Sequence, residues 1–172
     1  MQHDSNIGIN EYHRLFGHET HDNRVLFELL TVAVFQAGLS WQVAAGKIPV
    51  FRQVFADFDY QKVAGFDEPE LEAIMQQPEM IKNPRKIRAI ISNSRAIIRL
   101  APKFADLNDY LWHFTEQQVW VMSIEPDQPL NQQSSLGTFV AKDMKKHGFK
   151  FVGPTTVQLL LIAAGIIQRL EK

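Results

Sequence analysis

Lys145-Lys146-His147-Gly148-Phe149-Lys150-Phe151-Val152-Gly153-Pro154-Thr155-Thr156 reads as a helix that ends, a short loop, and a second helix that begins. Gly148 stands where a helix C-terminus favours positive φ. Gly153 lets the backbone approach something closely. Pro154 suits a first helical turn, because the N–H it lacks would have had no partner there. Behind it Val157, Leu160, Leu161, Ala164 and Ile167 recur at helical spacing. A helix start behind a small residue presents free N–H donors and the positive end of the macrodipole to an anion. Lys145, Lys146 and Lys150 crowd the same place. Such a loop fits a phosphate, and the lysines favour a nucleic-acid backbone. The alternative is a tight helix–helix turn with solvated lysines, since Gly-flanked turns are common.

Working back from this hairpin, the chain is helical in pattern. Ile87, Ile90, Ile91, Ile97 and Ile98 repeat at i, i+3, i+4 and predict an amphipathic helix over 84–100. Asp22 is a candidate N-cap for a helix to about Gln36. That helix is apolar nearly all round (Val25, Leu26, Leu29, Leu30, Val32, Ala33, Val34, Phe35), the mark of a buried element. Gly38 and Ser40 break it and cap the next. Residues 42–58 read as two short helices around Gly46 and Pro49, with further small helices near 60–64, 68–77 and 104–114. Residues 1–10 look loosely held, 11–21 are aromatic and histidine-rich with a turn at Gly17, and 115–134 read as a long loop. The last helix is expected to run from 154 towards 170. No strand alternation, repeat or low-complexity linker stands out. The expected class is all-α, with nine or ten helices in one domain over 1–172.

Composition narrows the function. The chain has 172 residues, enough for a sizeable core. It has no cysteine, which excludes disulfides, thiolate catalysis and cysteine-ligated metals. No apolar run reaches membrane-spanning length, and MQHDSNIGIN lacks a signal-peptide pattern, so a cytoplasmic protein with no membrane partner is expected. The net charge of −1 argues mildly against a protein that coats DNA, but distribution matters more than the sum. Lys82, Arg85, Lys86, Arg88, Arg95 and Arg99 are interrupted by no acid, whereas Asp57, Asp59, Asp67, Glu68, Glu70 and Glu72 gather elsewhere. That asymmetry allows a basic face on a near-neutral protein.

LFELL (26–30), FQAGLSW (35–41), Asn83 with Arg85-Lys86-Ile87, YLWHF (110–114) and KKHGFKFVGPTTV (145–157) occur in that order. Together they resemble the DNA-3-methyladenine glycosylase I family over roughly residues 12–168. The family belongs to the helix-hairpin-helix DNA glycosylases, so the resemblance implies an all-α, helix-hairpin-helix glycosylase-like bundle with its DNA-binding hairpin at 145–157. It implies contacts to DNA through Lys145, Lys146, Gly148, Lys150, Gly153, Thr155 and Thr156. Tyr12 and Trp41 match the family's base-pocket aromatics, and Phe16 stands near a family Trp in a segment one residue shorter. The alternative is that these rings are ordinary core aromatics. The implied reaction is monofunctional: methylation at N3 makes adenine cationic and loosens its glycosidic bond, so the enzyme extracts the base, stacks it on aromatic faces and admits water. No lyase activity is expected, Lys150 being read as a phosphate neighbour. The implied partner is double-stranded DNA carrying alkylated bases, acted on by a monomer without cofactor.

Three departures from the pattern matter. The family's base-reading glutamate falls at Ala33, four residues before Ala37, and alanine offers no acceptor. The catalytic group is therefore unassigned. Glu28, five residues earlier, lies about 140° round the helix and is no obvious substitute. Of the family's zinc ligands only His13 is matched. His3, His18 and His21 lie near it, but a structural zinc takes four ligands and no metal is expected. The wider superfamily's aspartate after the hairpin is missing, as in the family itself. Two further readings follow: a DNA-binding homologue weakened or inactive in catalysis, and a glycosylase for a different alkylated base.

Overall fold

The computed structural model describes residues 2–129 and 132–171, the side chains from Ser5 onward. Among them are ten α-helices, one 3-10 turn and two short strands. The helices are α1 (Gln2–Leu15), α2 (Asn23–Gln36), α3 (Trp41–Gly46), α4 (Ile48–Val54), α5 (Tyr60–Ala64), α6 (Glu68–Met75), α7 (Pro84–Ile98), α8 (Leu107–His113), α9 (Ser135–Lys146) and α10 (Pro154–Ala163). The strands are β1 (Trp120–Ile124) and β2 (Ile167–Glu171).

Local chemistry explains most helix starts. The Asp22 carboxylate accepts from the N–H groups of Arg24 and Val25, Ser40 Oγ from Val43, and Asn83 from Lys86 ahead of Pro84. The central helix is α2: Leu26 through Phe35 are all buried, and α3, α7, α8 and α10 pack round it. It carries a buried charge, since Glu28 is 4% exposed. Burial pushes the Glu28 carboxyl up, against the opposing pull of Arg52, whose Nε donates to it at 2.6 Å. Committed to this ion pair, Glu28 leaves the Ala33 position without a carboxylate, as its place on the helix predicts.

The structure corrects three expectations. Residues 2–10 are helical, not loosely held, and α1 packs on α3 and α4. The loop read over 115–134 contains β1, and the terminal helix stops at Ala163. Gly165, at φ +75°, turns the chain into β2, which pairs in parallel with β1 from Trp120↔Ile167 to Ile124↔Glu171. A parallel pair needs a long crossover, and here α9, the hairpin and α10 form it. The mostly helical class stands, with this small sheet added.

Candidate functional site

A cavity of about 420 Å³ opens among α1, α2, α3 and α10, lined by Tyr12, His13, Phe16, Gln36, Trp41 and Leu159. The structure thus brings together Tyr12, Phe16 and Trp41, which sequence spacing had only scattered. The Tyr12 and Trp41 rings lie 6.2 Å apart and 25° from parallel, Phe16 tilts against Tyr12 at 5.3 Å, and His13 against Trp41 at 5.1 Å. Burial pushes the Tyr12 phenol up, so it stays neutral. Among the described residues the lining contains no carboxylate. Ala33 is buried at 3% exposure, on the same face of α2 as Gln36, one turn earlier.

The end of α2 that carries Gln36 is held by a buried cation. Lys86 Nζ donates to Phe35 O at 2.9 Å and to Ala37 O, closing the C-terminal carbonyls of α2 on both sides of Gln36. Burial lowers the Lys86 pKa. The Lys86 side chain thereby fixes the turn through Gly38, at φ +80°, that leads into Trp41.

The hairpin joins α9 to α10. Gly148 adopts φ +88°, and an added Cβ there would stand 2.7 Å from Arg99 Nη2. Asn93, fully buried on α7, clamps the loop: its Nδ2 donates to Lys150 O at 3.2 Å and its Oδ1 accepts from Lys150 N–H at 2.7 Å. Phe151 sits at φ +56° with the Arg85 guanidinium over its ring at 5.8 Å. No side chain caps α10; Gly153 is its N-cap, with nothing within 4 Å of where a Cβ would be. Lys145, Lys146, Lys150 and Thr155 are exposed and Thr156 is half-buried. Gln133 Nε2 donates to Thr155 Oγ1 at 3.1 Å. The loop is thus a fixed frame with an open helix N-terminus, the arrangement that receives a phosphate.

The basic run of 82–99 does not act as one face. Arg85 and Arg99 reach the hairpin, but Arg88 pairs with Glu68. Arg95 donates to the carbonyls of Ala64 and Phe66 and pairs with Asp67, and Lys86 is buried. Two of the six, Arg88 and Arg95, therefore pair with the acidic cluster of 57–72. Asn93, Lys86, Gln36 and Leu159 escaped the sequence reading of the site; for the first two the partners are backbone groups about 50 residues away, which no local pattern reveals.

His13 and His21 lie in different surroundings. His21 bonds Asn108 at 2.8 Å and stacks on Trp112, while His13 lies in the cavity; the side chain of His3 falls outside the described residues. Among the described residues no group of three or more His, Cys, Asp or Glu is arranged to hold a metal ion, and no helix is long and apolar enough to cross a membrane.

A family model described as methyladenine glycosylase matches residues 3–171. The chain is 33% identical to DNA-3-methyladenine glycosylase 1 of Escherichia coli K12 over 146 residues, 85% of this chain and 78% of that one. It is 26% identical to the DNA-3-methyladenine glycosylase of Haemophilus influenzae, over 95% and 89% of the two chains. Among solved structures, 3-methyladenine DNA glycosylase I of Staphylococcus aureus is similar with a TM-score of 0.85 at 27% identity, over 93% of this chain and 85% of that one. A 3-methyladenine DNA glycosylase I in complex with 3-methyladenine gives a TM-score of 0.86 at 27% identity, over 94% and 87%.

Proposed function

Because the chain belongs to the methyladenine glycosylase family, we propose that it releases 3-methyladenine from alkylated duplex DNA by hydrolysis of the N-glycosidic bond, the first step of base excision repair. One observation carries this reading: the aromatic cavity of Tyr12, Phe16 and Trp41 shares a helix with the hairpin. Leu159 lines the cavity six residues after Gly153, about 9 Å along α10. A backbone gripped at the helix start therefore has the base pocket close beside it.

The cavity residues bind, orient and dehydrate the base. The near-parallel faces of Tyr12 and Trp41 suit a flat cationic ring, and the apolar lining excludes bulk water from it. The lesion supplies most of the driving force. As the C1′–N9 bond breaks, its electron pair neutralises the cationic base, which leaves as free 3-methyladenine. Water adds to C1′ and gives its proton to solvent. A leaving group already cationic asks little of a general acid, which accords with a lining without carboxylates. The hairpin amides with Lys145, Lys146, Lys150, Thr155 and Thr156 hold phosphates; such contacts position the protein but do not select the lesion. A monomer acting in the cytoplasm completes the proposal.

Purified protein incubated with methylated duplex DNA is expected to release 3-methyladenine, read by chromatography. DNA binding without release would leave the DNA-binding, non-hydrolytic reading that Ala33 raises. Gly153→Asp separates the hairpin's two roles. Aspartate is a better N-cap than glycine by a few tenths of a kcal/mol, and the open space at the Cβ admits it, so Tm should hold or rise. Its carboxylate would stand where the phosphate goes, so duplex affinity should fall about tenfold, most steeply at low salt. Unchanged affinity would remove the hairpin from DNA binding.

A further inference from the structure

We propose that Gln36 reads the edge of the base in the cavity, its carboxamide oxygen accepting from the exocyclic amine while its NH2 donates to the adjacent ring nitrogen. This rests on the glycosylase reading and assigns the specificity that Ala33 leaves without an owner.

Among the described residues, Gln36 contributes the one carboxamide to a lining otherwise made of aromatic rings, His13 and Leu159. Its Oε1 is buried, and among the described residues no group hydrogen-bonds it. A buried acceptor without a partner is costly and calls for an explanation, and an arriving N–H donor would remove that cost. The terminal torsion of glutamine is broad, so the amide can turn towards a bound ring without moving the helix. The backbone beneath it is fixed, since Lys86 binds the carbonyls of Phe35 and Ala37 on either side. A reading group thus sits on a rigid support, one turn beyond Ala33 on the same face of α2.

The chemistry then sets a preference. The adenine edge offers a donor amine beside an acceptor nitrogen, the pattern a carboxamide matches with two bonds. A hypoxanthine or guanine edge puts a carbonyl where the amine was, so one of the two bonds is lost and lone pairs oppose. Gln36 would therefore favour alkylated adenines. A neutral amide also keeps its bonding pattern through the pH range in which a glutamate would titrate.

The test measures binding of free 3-methyladenine and 3-methylhypoxanthine, by calorimetry, to wild type, Gln36→Leu and Gln36→Glu, with release from methylated duplex assayed on the wild type. Wild type should prefer 3-methyladenine by about tenfold, within the range of one bidentate contact. Gln36→Leu should bind both with similar affinity. Gln36→Glu keeps the acceptor but, ionised, has no donor for the ring nitrogen, so its affinity for 3-methyladenine should rise as pH falls through the carboxylate range and protonation restores one. A preference undiminished in Gln36→Leu, with wild-type release intact, overturns the role of Gln36 and leaves the glycosylase reading standing. A wild type that neither binds nor releases 3-methyladenine overturns both. Gln36 is half-exposed on a helix end, and melting curves will show whether each variant folds; if Gln36→Leu does not, Gln36→Glu carries the test, and a 3-methyladenine affinity there that does not rise towards acid pH overturns it.

Discussion

Trp41→Ala is expected to lower kcat/KM for 3-methyladenine release by about a hundredfold while leaving affinity for unmodified duplex nearly unchanged. The magnitude follows from stacking, worth ~1–3 kcal/mol per base by alanine substitution, with a further contribution because the ring on the indole is cationic. The selectivity follows from geometry. Trp41 faces the cavity with Tyr12, while the hairpin lies at the start of α10 and has its own support on α7. Helix α3 should survive, since its cap is Ser40 and alanine is a better helix former than tryptophan. Trp41→Phe, which restores a smaller face, should recover part of the loss. Single-turnover release and duplex binding, measured side by side, check this. An alanine variant with unchanged release would show that the base is held elsewhere. A parallel loss of duplex affinity would point to a damaged fold.

The parts of this molecule that were legible in the sequence are those whose causes are local. The α7 helix follows from Asn83, Pro84 and a period of isoleucines. The hairpin follows from Gly148, Gly153 and Pro154, with φ +88° at Gly148 as a helix end requires. The strands were hidden because their cause is a pairing between residues 47 apart. Ile166 and Ile167 also continue the apolar spacing of α10, so only Gly165 hinted at a break. The site was legible in its rings and not in its supports. Trp41 stands in the FQAGLSW motif, Tyr12 is matched by its pairing with His13, and Phe16 only stands near a family Trp. Lys86 lies in a motif too, but reads as one more surface cation until its carbonyl partners, 51 and 49 residues distant, are seen. Gln36 was overlooked inside the very motif that marked Ala33 as deficient, because an orphaned acceptor is a property of packing.

Asn93→Ala should lower both stability and duplex affinity. Asn93 is fully buried and satisfies both backbone groups of Lys150, at 2.7 and 3.2 Å. Alanine would strand an N–H and a C=O in a partly buried loop. Each stranded group costs ~1–3 kcal/mol, but access of water to the exposed side of Lys150 reduces this, so the expected loss is about 2–3 kcal/mol. In a domain of this size that lowers Tm by roughly 5–10 °C. The protein should remain folded at room temperature, which lets binding be measured on the native state. There the second effect enters. Phe151 is held at φ +56°, a conformation costly for a non-glycine residue, by a loop that Asn93 fixes at the preceding position. Once the clamp is gone the loop relaxes, the amides at the start of α10 no longer present one fixed geometry, and duplex affinity should fall about tenfold. Asn93→Asp keeps the acceptor for Lys150 N–H while losing the donor to Lys150 O. It buries a carboxylate near that oxygen, so it should destabilise at least as much at neutral pH and improve as acid protonates it. A variant that melts lower yet binds duplex as wild type would mean that the hairpin needs no preset shape to hold DNA.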